Sequence, residues 1–233
     1  MNSGMRSVFS LWVSIVLTMG LSACAQRTDL PPQIGSSFAA TDLPVPRRSS
    51  AISLEEALLR RRSVRSFSSL SLTTAEIGQL LWAAQGTTSE RGFRTAPSAG
   101  ALYPLEFYVA TADGVFRFDP LGHRLLTVDT VDRRDELCGA ALGQDAVLHA
   151  PAVFIVTAVY ERTERKYGPE RAPRYVHLEA GHAAQNLLLQ AVALELGAVT
   201  IGAFHDEQVL RALGLPLDHA PLYLIPTGHP AES

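Results

Sequence analysis

Residues 152–160 (AVFIVTAVY) and residues 174–196 (RYVHLEAGHAAQNLLLQAVALEL) decide the fold of this chain. The first stretch is a nearly continuous apolar run, which is typical of a strand buried on both faces. The second is the longest helical pattern in the sequence and is apolar on most sides, as a central buried helix should be. Together with the shorter elements around them, these stretches predict one α+β domain.

Shorter elements surround this pair. Two helices are predicted where a capping residue has a glutamate three positions later, at Ser53 with Glu56 and at Thr73 with Glu76. Gly86 is a natural end for the second helix. The remaining predicted elements are strands at 107–111, 115–119, 124–128, 199–204 and 222–225 and helices at 133–142 and 206–213.

One side of the long helix carries a polar stripe at spacings of three, four and four: Glu179, His182, Asn186 and Gln190. Such a stripe is either an edge that faces water or another subunit, or a catalytic cluster. We interpret it as a polar edge, because a solvated or subunit-facing face is the commoner use of this pattern.

The composition excludes several classes of protein. Hydrophobic residues make up 47% of the 233 residues, enough for a sizeable core, and the formal net charge of −3 offers no electrostatic footprint for nucleic acid. Cys24 and Cys138 are too few for a disulfide scaffold or a cysteine-rich zinc site. His177 and His182 would point about 140° apart on a helix, so no metal site is predicted.

The N-terminus has the pattern of a lipoprotein signal peptide over residues 1–23. Arg6 is its only charge, an apolar run covers residues 8–21, and the sequence LSAC at residues 21–24 resembles a bacterial lipobox. We therefore expect cleavage before Cys24 and lipidation of its thiol. An anchor helix that is never cleaved is the alternative.

The segment that follows predicts a tether. Residues 24–52 are rich in Pro and Ser and show no sustained helical or strand period, and the globular domain is predicted at 53–229. Ala25, rather than an aspartate, follows the cysteine, so the signal for inner-membrane retention is missing. We expect a lipid-anchored protein of the cell envelope, on the periplasmic face, and at the outer membrane in a Gram-negative cell.

Four motifs occur in a fixed order along the domain. They are RRSVRSF at residues 61–67, APSAGALYPL at 96–105, Lys166-Tyr167-Gly168 leading into LEAGHAAQN at 178–186, and IGAF at 201–204 with IPTG at 225–228. In this order they resemble the FMN-dependent nitroreductase superfamily, and within it the SagB-type branch, the azoline dehydrogenases of ribosomal peptide biosynthesis. The resemblance implies a central, mainly antiparallel sheet flanked by helices, with FMN at a homodimer interface.

The first motif supplies the cations of the expected flavin site. By resemblance, Arg61 would reach the FMN phosphate, and Ser63 and Arg65 would contact the pyrimidine edge, with Arg62 in the same cluster. The planar guanidinium group matches phosphate oxygens and carbonyl edges, and a nearby cation stabilises the negative charge of a reduced flavin. The alternative is a basic helix end that is favoured by the helix dipole.

The second motif supplies a loop of small residues. Pro97, Ser98 and Ala99 would lie against the flavin that is bound mainly by the other subunit. Ala101 stands where many nitroreductases have asparagine, which favours the azoline-dehydrogenase branch. The alternative is a tight loop that only introduces the following strand.

Backbone groups near the last motifs complete the expected cofactor site. The amides of Gly202 and Ala203 would donate to flavin N5, and glycine permits that close approach. Gln144 and Gly228 are the remaining residues that the resemblance assigns to flavin binding. Only His229 follows as a cation, so the phosphate would depend on the early arginines.

Lys166 and Tyr167 resemble the catalytic pair of the SagB-type enzymes. Oxidation of an azoline ring to an azole removes a hydride and a proton, and a lysine could take the proton while a tyrosine hydroxyl holds or relays it. The alternative is a solvated lysine in a charged loop.

The resemblance, together with the predicted lipoprotein signal, therefore implies an FMN-dependent oxidoreductase that transfers hydride between an organic substrate and flavin N5 at the cell envelope. NAD(P)H is not expected outside the cytoplasm, which favours a dehydrogenase that passes electrons to oxygen or a quinone. The alternatives are an NAD(P)H-dependent nitro- or quinone reductase, and a lipoprotein that binds flavin without turnover.

Overall fold

The computed structural model describes residues 39–231. The predicted signal peptide, Cys24 and the first part of the predicted tether lie outside the described residues. In chain order the elements are β1 (Ala40–Asp42), α1 (Leu54–Arg60), α2 (Thr74–Gln85), β2 (Leu105–Thr111), β3 (Gly114–Asp119), β4 (Arg124–Asp129), α3 (Arg134–Ala140), α4 (Asp145–His149), β5 (Ala152–Ala158), α5 (Glu161–Tyr167), α6 (Ala172–Ala193), β6 (Gly197–Ala198), α7 (Asp206–Leu213) and β7 (Ala220–Gly228).

The strands form one sheet in the order β1-β4-β3-β2-β5-β7-β6, and neighbouring strands run antiparallel. Every residue of β5 is buried, as the apolar run at 152–160 predicts. The helices pack on both faces of this sheet. The predicted α+β class and the antiparallel sheet flanked by helices are therefore confirmed.

Alternate residues of β5 enter two separate cores. Phe154 and Val156 face the core that α2 and α6 cover, and Val153 and Ile155 face the core that α3, α4 and α7 cover. Side chains of a strand alternate between its faces, so a strand in the middle of a three-layer domain is apolar at nearly every position. Burying each such side chain contributes roughly 1.5–3 kcal/mol.

Both predicted helix starts are confirmed. The Ser53 hydroxyl accepts a hydrogen bond from the Glu56 amide at 3.1 Å, although the reciprocal bond is missing because Glu56 pairs with Arg60. At α2 the box is complete, since the Glu76 amide donates to the Thr73 hydroxyl and the Thr73 amide donates to the Glu76 carboxylate. The capping residues alone therefore predict where these two helices begin.

The boundary of the predicted tether is wrong. Ala40–Asp42 pair with β4 at the sheet edge, and the buried side chain of Leu43 packs in the core beneath α2. Further along, the Arg47 backbone exchanges two hydrogen bonds with the Gln79 side chain, of 2.8 and 3.1 Å. The domain thus includes residues from about 40 onwards, because tertiary contacts order a segment that has no periodicity of its own.

The strand predicted at 199–204 is also wrong. Only Gly197 and Ala198 form β6, followed by a single bridge between Ile201 and Leu224. The chain then leaves the sheet, and the His205 amide donates to the Ala140 carbonyl at 2.9 Å. This departure exposes residues 202 and 203 beside the sheet edge.

Two absences concern residues 39–231 alone. None of the helices in this range combines the length and the apolar character that crossing a bilayer requires. The same range holds no group of three or more His, Cys, Asp or Glu side chains arranged to bind a metal ion.

Candidate active site

The arginine segment extends the sheet edge next to β6. The Val64 amide donates to the Ala198 carbonyl at 3.1 Å, and Ser63 forms a parallel bridge with Ala198. Gly197 makes this approach possible, because a Cβ built on it would lie 2.6 Å from a methyl carbon of Val64. The predicted phosphate-binding residues are therefore held by the same edge that leads to residues 202 and 203.

The arginine side chains of this segment carry uncompensated charge. Among the described residues, Arg61, Arg62 and Arg65 form no ion pair with a carboxylate. Arg62 donates to the carbonyls of Leu59 and Arg61 at 3.0 and 2.8 Å. Three adjacent cations without acidic partners repel one another, and an anionic ligand would relieve that repulsion.

The side chain of Gln144 holds the exposed turn at Gly202 and Ala203 in place. The Gln144 side-chain amide donates to the carbonyls of Ala141 and Ala203, both at 2.9 Å. The space above Gly202 is open, since a Cβ there would meet no atom within 4 Å. The structure thus brings together three of the predicted cofactor residues, with Gln144 supporting the turn.

Gly228 does not offer a contact surface. It pairs with Gly197 inside the sheet, and a Cβ built on it would lie 2.5 Å from Pro151. Its direct role in cofactor binding was a sequence prediction that the geometry does not support. The residue must be glycine because Pro151 and Phe67 leave no room beside the backbone.

A second group of predicted site residues meets at the Pro97–Ala101 loop. Gly100, with φ of +64°, lies so close to the pair on α5 that a Cβ on it would be 2.8 Å from Lys166 Nζ and 3.1 Å from the Tyr167 hydroxyl. Lys166 and Tyr167 occupy the last turn of α5 rather than the loop that the sequence suggested. A lysine, a phenol and an exposed backbone therefore converge at one point.

Tyr167 is further oriented by aromatic packing. Its ring lies 4.6 Å from the ring of Tyr175 on α6, centroid to centroid, at an angle of 49°. Lys166 Nζ lies 5.6 Å from the centroid of the Tyr167 ring, within the range of a cation–π interaction. The pair is therefore fixed by packing between α5, α6 and the loop.

The polar stripe of α6 is not a solvated edge. Glu179 is only 3% exposed and accepts a hydrogen bond of 3.1 Å from Gln85 on α2. Burial is the largest effect on this group and raises the pKa of Glu179 to about 7, although Ser98, Gln85 and the Arg94 charge oppose the shift. The interpretation of Glu179 as surface-facing was wrong.

The other members of the stripe divide between core and surface. Gln190 accepts a hydrogen bond of 3.1 Å from Gln79, and Asn186 lies within 3.5 Å of the Thr95 carbonyl, whereas His182 is exposed. Glu179 and Gln190 face α2 because these two helices pack together. Spacing alone could show that the residues share a face, but not which neighbour covers it.

Ionisation of Glu179 is expected to reduce stability as pH rises. Its folded-state pKa of about 7 lies above the ordinary value of 4.5, so its favourable contribution is complete below pH 4.5 and is lost as pH rises through about 7. The loss amounts to about 3 kcal/mol. Urea unfolding across this range should show the free energy of unfolding falling in the wild type relative to Glu179→Gln.

The exposed Glu195 provides the control for this prediction. Glu195→Gln should follow the wild-type pH profile of unfolding free energy. A Glu179→Gln variant that loses stability with pH in parallel with the wild type would contradict the assignment of the pH dependence to Glu179.

The profile described as "Nitroreductase family" matches residues 58–229 of this chain. The chain belongs to the nitroreductase family. A protein of Methanocaldococcus jannaschii whose name places it among the nitroreductases is 46% identical over 187 residues, which are 78% of this chain and 93% of the relative.

Two solved structures agree with this membership. One from Ralstonia eutropha, also bearing the nitroreductase name, has a TM-score of 0.76 at 31% identity and covers 87% of this chain and 94% of its own. One from Desulfovibrio desulfuricans, determined in complex with FMN, has a TM-score of 0.59 at 26% identity, covering 77% of this chain and 87% of its own. The nitroreductase-like fold is confirmed, and the protein is an oxidoreductase.

In this member of the nitroreductase family, the two groups of candidate site residues occupy different parts of one chain. Along the sheet, β5, β7 and β6 separate β2 from the Ser63 bridge, four strand spacings or about 19 Å. Leu105, where the Pro97–Ala101 loop joins β2, aligns with Ala220, whereas Ala198 aligns with Thr227 at the other end of β7. One chain therefore presents two separated candidate half-sites.

Proposed function

We propose that this protein is an FMN-dependent oxidoreductase of the SagB type, which removes hydride from an organic substrate at the cell envelope. The observation that carries the proposal is the contact of Lys166 and Tyr167 with Gly100. A base and a phenol placed against a loop of small residues suit an oxidation that removes a proton together with a hydride. Ala101 in this loop agrees with the azoline-dehydrogenase branch.

The residues at the sheet edge fit FMN. The free charges of Arg61 and Arg65 match a phosphate and the electron-rich pyrimidine edge of a flavin, and Arg62 adds to the field. The open turn at Gly202 and Ala203 lets a flat ring approach the backbone. These groups would hold the cofactor, while Gln144 fixes the turn from below.

A homodimer would join the two half-sites. The Pro97–Ala101 loop and Lys166 of one protomer would then complete the site formed by the arginine segment of the other. An exposed apolar surface supports this arrangement. It is formed by the leucines of α1 and by Leu178 on α6, the helix on which α1 packs. The leucines of α1 are Leu54, Leu58 and Leu59, each more than half exposed.

The chemistry divides between the cofactor and the chain. FMN would be held by the arginine segment and the turn at Gly202 and Ala203, and would supply the two-electron acceptor for the substrate hydride, with oxygen or a quinone as the final oxidant. Lys166 Nζ takes the proton that leaves the substrate carbon, and the Tyr167 hydroxyl holds that proton in place. The substrate loses a hydride and a proton and gains one double bond, so atoms and electrons balance.

The location follows from the predicted lipoprotein signal. We propose that Cys24 is lipidated and that the catalytic domain faces the periplasm. A periplasmic location favours oxygen or a quinone over NAD(P)+ as the electron acceptor. A nitro- or quinone reductase fed by NAD(P)H is the second candidate, favoured by the name of the 46% identical relative.

The test is spectroscopic and uses the full-length protein in detergent with added FMN. We expect a flavin absorption band that co-elutes with a dimer in gel filtration, and anaerobic bleaching of this band by a thiazoline-containing peptide. Bleaching by NADPH but not by the peptide would favour the reductase. A colourless, folded protein would overturn flavin binding altogether.

A further inference from the structure

We propose that Arg94 is the anion-binding group of a second ligand site, which takes the carboxylate of an organic acid or of a peptide C-terminus. The site is a cavity of about 200 Å³, which we call the Arg94 cavity. The end of α2, the start of β2, the end of β3 and the turn at Pro120 and Leu121 line it together with Arg94. None of the predicted flavin residues lines it, so the proposal goes beyond the proposed function and does not depend on FMN.

The guanidinium of Arg94 has no acidic partner. Among residues 39–231 it forms no ion pair with a carboxylate. It lies 4.4 Å from the centroid of the Tyr103 ring, and within the same range it donates one hydrogen bond, of 3.4 Å, to the Gln85 side-chain oxygen. Burial is the largest effect on this group and lowers its pKa, yet an arginine keeps its charge. Since arginine carries five N–H donors, most of them can still bind an anion.

Gln85 fixes this guanidinium from within the core. It is only 1% exposed, its side-chain oxygen accepts from Arg94, and its side-chain nitrogen donates to Glu179 at 3.1 Å. The reversed amide would turn its N–H groups toward the cation, so the orientation of Gln85 is set by its two partners. Glu179 lies behind Gln85, and burial raises its pKa to about 7, so it is only partly ionised near neutral pH. Arg94 is therefore held in place without being neutralised.

The two carboxylates that line the Arg94 cavity are already paired with other arginines. One oxygen of Glu106 lies 3.5 Å from Arg117, and the other pairs with Arg162. Asp119 pairs with Arg124 at 2.9 Å and also accepts hydrogen bonds from two backbone amides. Neither carboxylate compensates the cation described above. An incoming carboxylate matches that cation in charge and fits the planar fork of its N–H groups.

The walls of the Arg94 cavity favour a carboxylate that is attached to an apolar group. Three apolar side chains of β2 and β3, each 2% exposed, form part of the wall: Leu105, Phe107 and Phe118. The turn at Pro120 and Leu121 also lines a neighbouring cavity of about 470 Å³, together with Trp82 and Val45. Leu121 is 76% exposed, so an apolar chain or ring can cover it while the carboxylate meets Arg94. Inorganic phosphate would match the cation but not this apolar surface.

Isothermal titration calorimetry of the full-length protein in detergent, without added FMN, tests the site. 3-Phenylpropionate presents a carboxylate on an apolar group, and 3-phenylpropanamide is its neutral counterpart. A tetrapeptide that ends in phenylalanine serves as the second pair of probes, once as the free acid and once as the C-terminal amide.

Three variants are compared with the wild type. Arg94→Met removes the charge but keeps an apolar stem beside Tyr103. Leu121→Glu places a negative charge at an exposed position of the cavity wall. Arg91→Met is the matched control, because Arg91 is exposed and does not line the cavity.

We expect the wild type to bind the two acids at millimolar concentrations or below and to bind neither amide. Arg94→Met should weaken binding of the acids about 10–10²-fold, because at least one charge-assisted hydrogen bond is lost. Leu121→Glu should weaken it about threefold to tenfold through repulsion of the carboxylate. Arg91→Met should match the wild type.

The relative affinities of the two acids distinguish the sources of the carboxylate. Tighter binding of the peptide acid indicates a peptide C-terminus, whereas equal or tighter binding of 3-phenylpropionate indicates an organic acid. Failure of both acids to bind, equal affinity for an acid and its amide, or unchanged binding in Arg94→Met would overturn the proposal. If Arg94→Met does not fold, Leu121→Glu decides, and binding of the acids that is unchanged in this variant overturns the proposal.

Discussion

Replacing Lys166 with alanine is expected to slow the anaerobic reduction of bound FMN by a thiazoline-containing peptide about 10²–10⁴-fold, while FMN stays bound. Beside Gly100, the Lys166 amine and the Tyr167 hydroxyl are the two groups that can take the proton from the substrate carbon. The arginines at the opposite sheet edge are untouched, so affinity for FMN should change little. Stopped-flow absorbance of the flavin gives the rate.

The neighbouring Arg165 is the matched control. Its side chain is exposed and pairs with Glu161 at 3.0 Å, so Arg165→Ala should leave the rate within about twofold. NADPH serves as a second probe, because hydride donation from it requires no base. A Lys166→Ala variant as fast as the wild type with the thiazoline peptide would contradict the catalytic assignment, and an equal loss with both donors would indicate general damage instead.

Removal of two arginines should abolish stable FMN binding. The double variant Arg61→Ala/Arg65→Ala loses two charge-assisted contacts of roughly 1.5–3 kcal/mol each, which corresponds to a dissociation constant about 10²–10⁴-fold higher. These arginines have no acidic partners among the described residues, so their removal leaves no carboxylate unpaired. The free energy of unfolding should therefore change by less than about 1 kcal/mol. Fluorescence titration of FMN and urea unfolding measure the two quantities.

A second double variant controls for the loss of two positive charges. Arg91 and Arg211 are both exposed, and only Arg211 has an acidic partner, Glu207 on the same helix turn. Arg91→Ala/Arg211→Ala should bind FMN as the wild type does. Equal weakening in the two double variants would mean that net charge, rather than the arginine segment, governs the affinity.

Much of the fold was predictable because it depends on short-range patterns. The capping of α2 by Thr73 and Glu76 joins residues three apart, and β5 is recognisable as a nearly continuous apolar run. The hairpin of β2 and β3 surrounds a turn of two residues. Each of these features is set by hydrogen bonds or by a continuous apolar run within a few residues of the chain.

The residues of the candidate site could be named from the sequence motifs, but their arrangement could not. The motifs named Arg61, Ser98, Gly202 and Lys166, yet only the structure shows two separated half-sites, with the Lys166 amine beside Gly100. The prediction that the polar stripe on α6 is a solvated or subunit-facing edge is wrong at Glu179 for the same reason. Its spacing showed a shared face, whereas the depth of Glu179 depends on α2 covering that face.

By itself the sequence determined the α+β class, the helix starts, the central strand and the family motifs, since these depend on composition and on contacts between near neighbours. Only the tertiary structure decided that residues 40–43 join the domain and that Glu179 is buried with Gln85, a partner 94 positions away. Such contacts arise when separate elements pack, and packing sets burial, pKa and the position of a loop together. No local pattern records which distant side chain will be the neighbour.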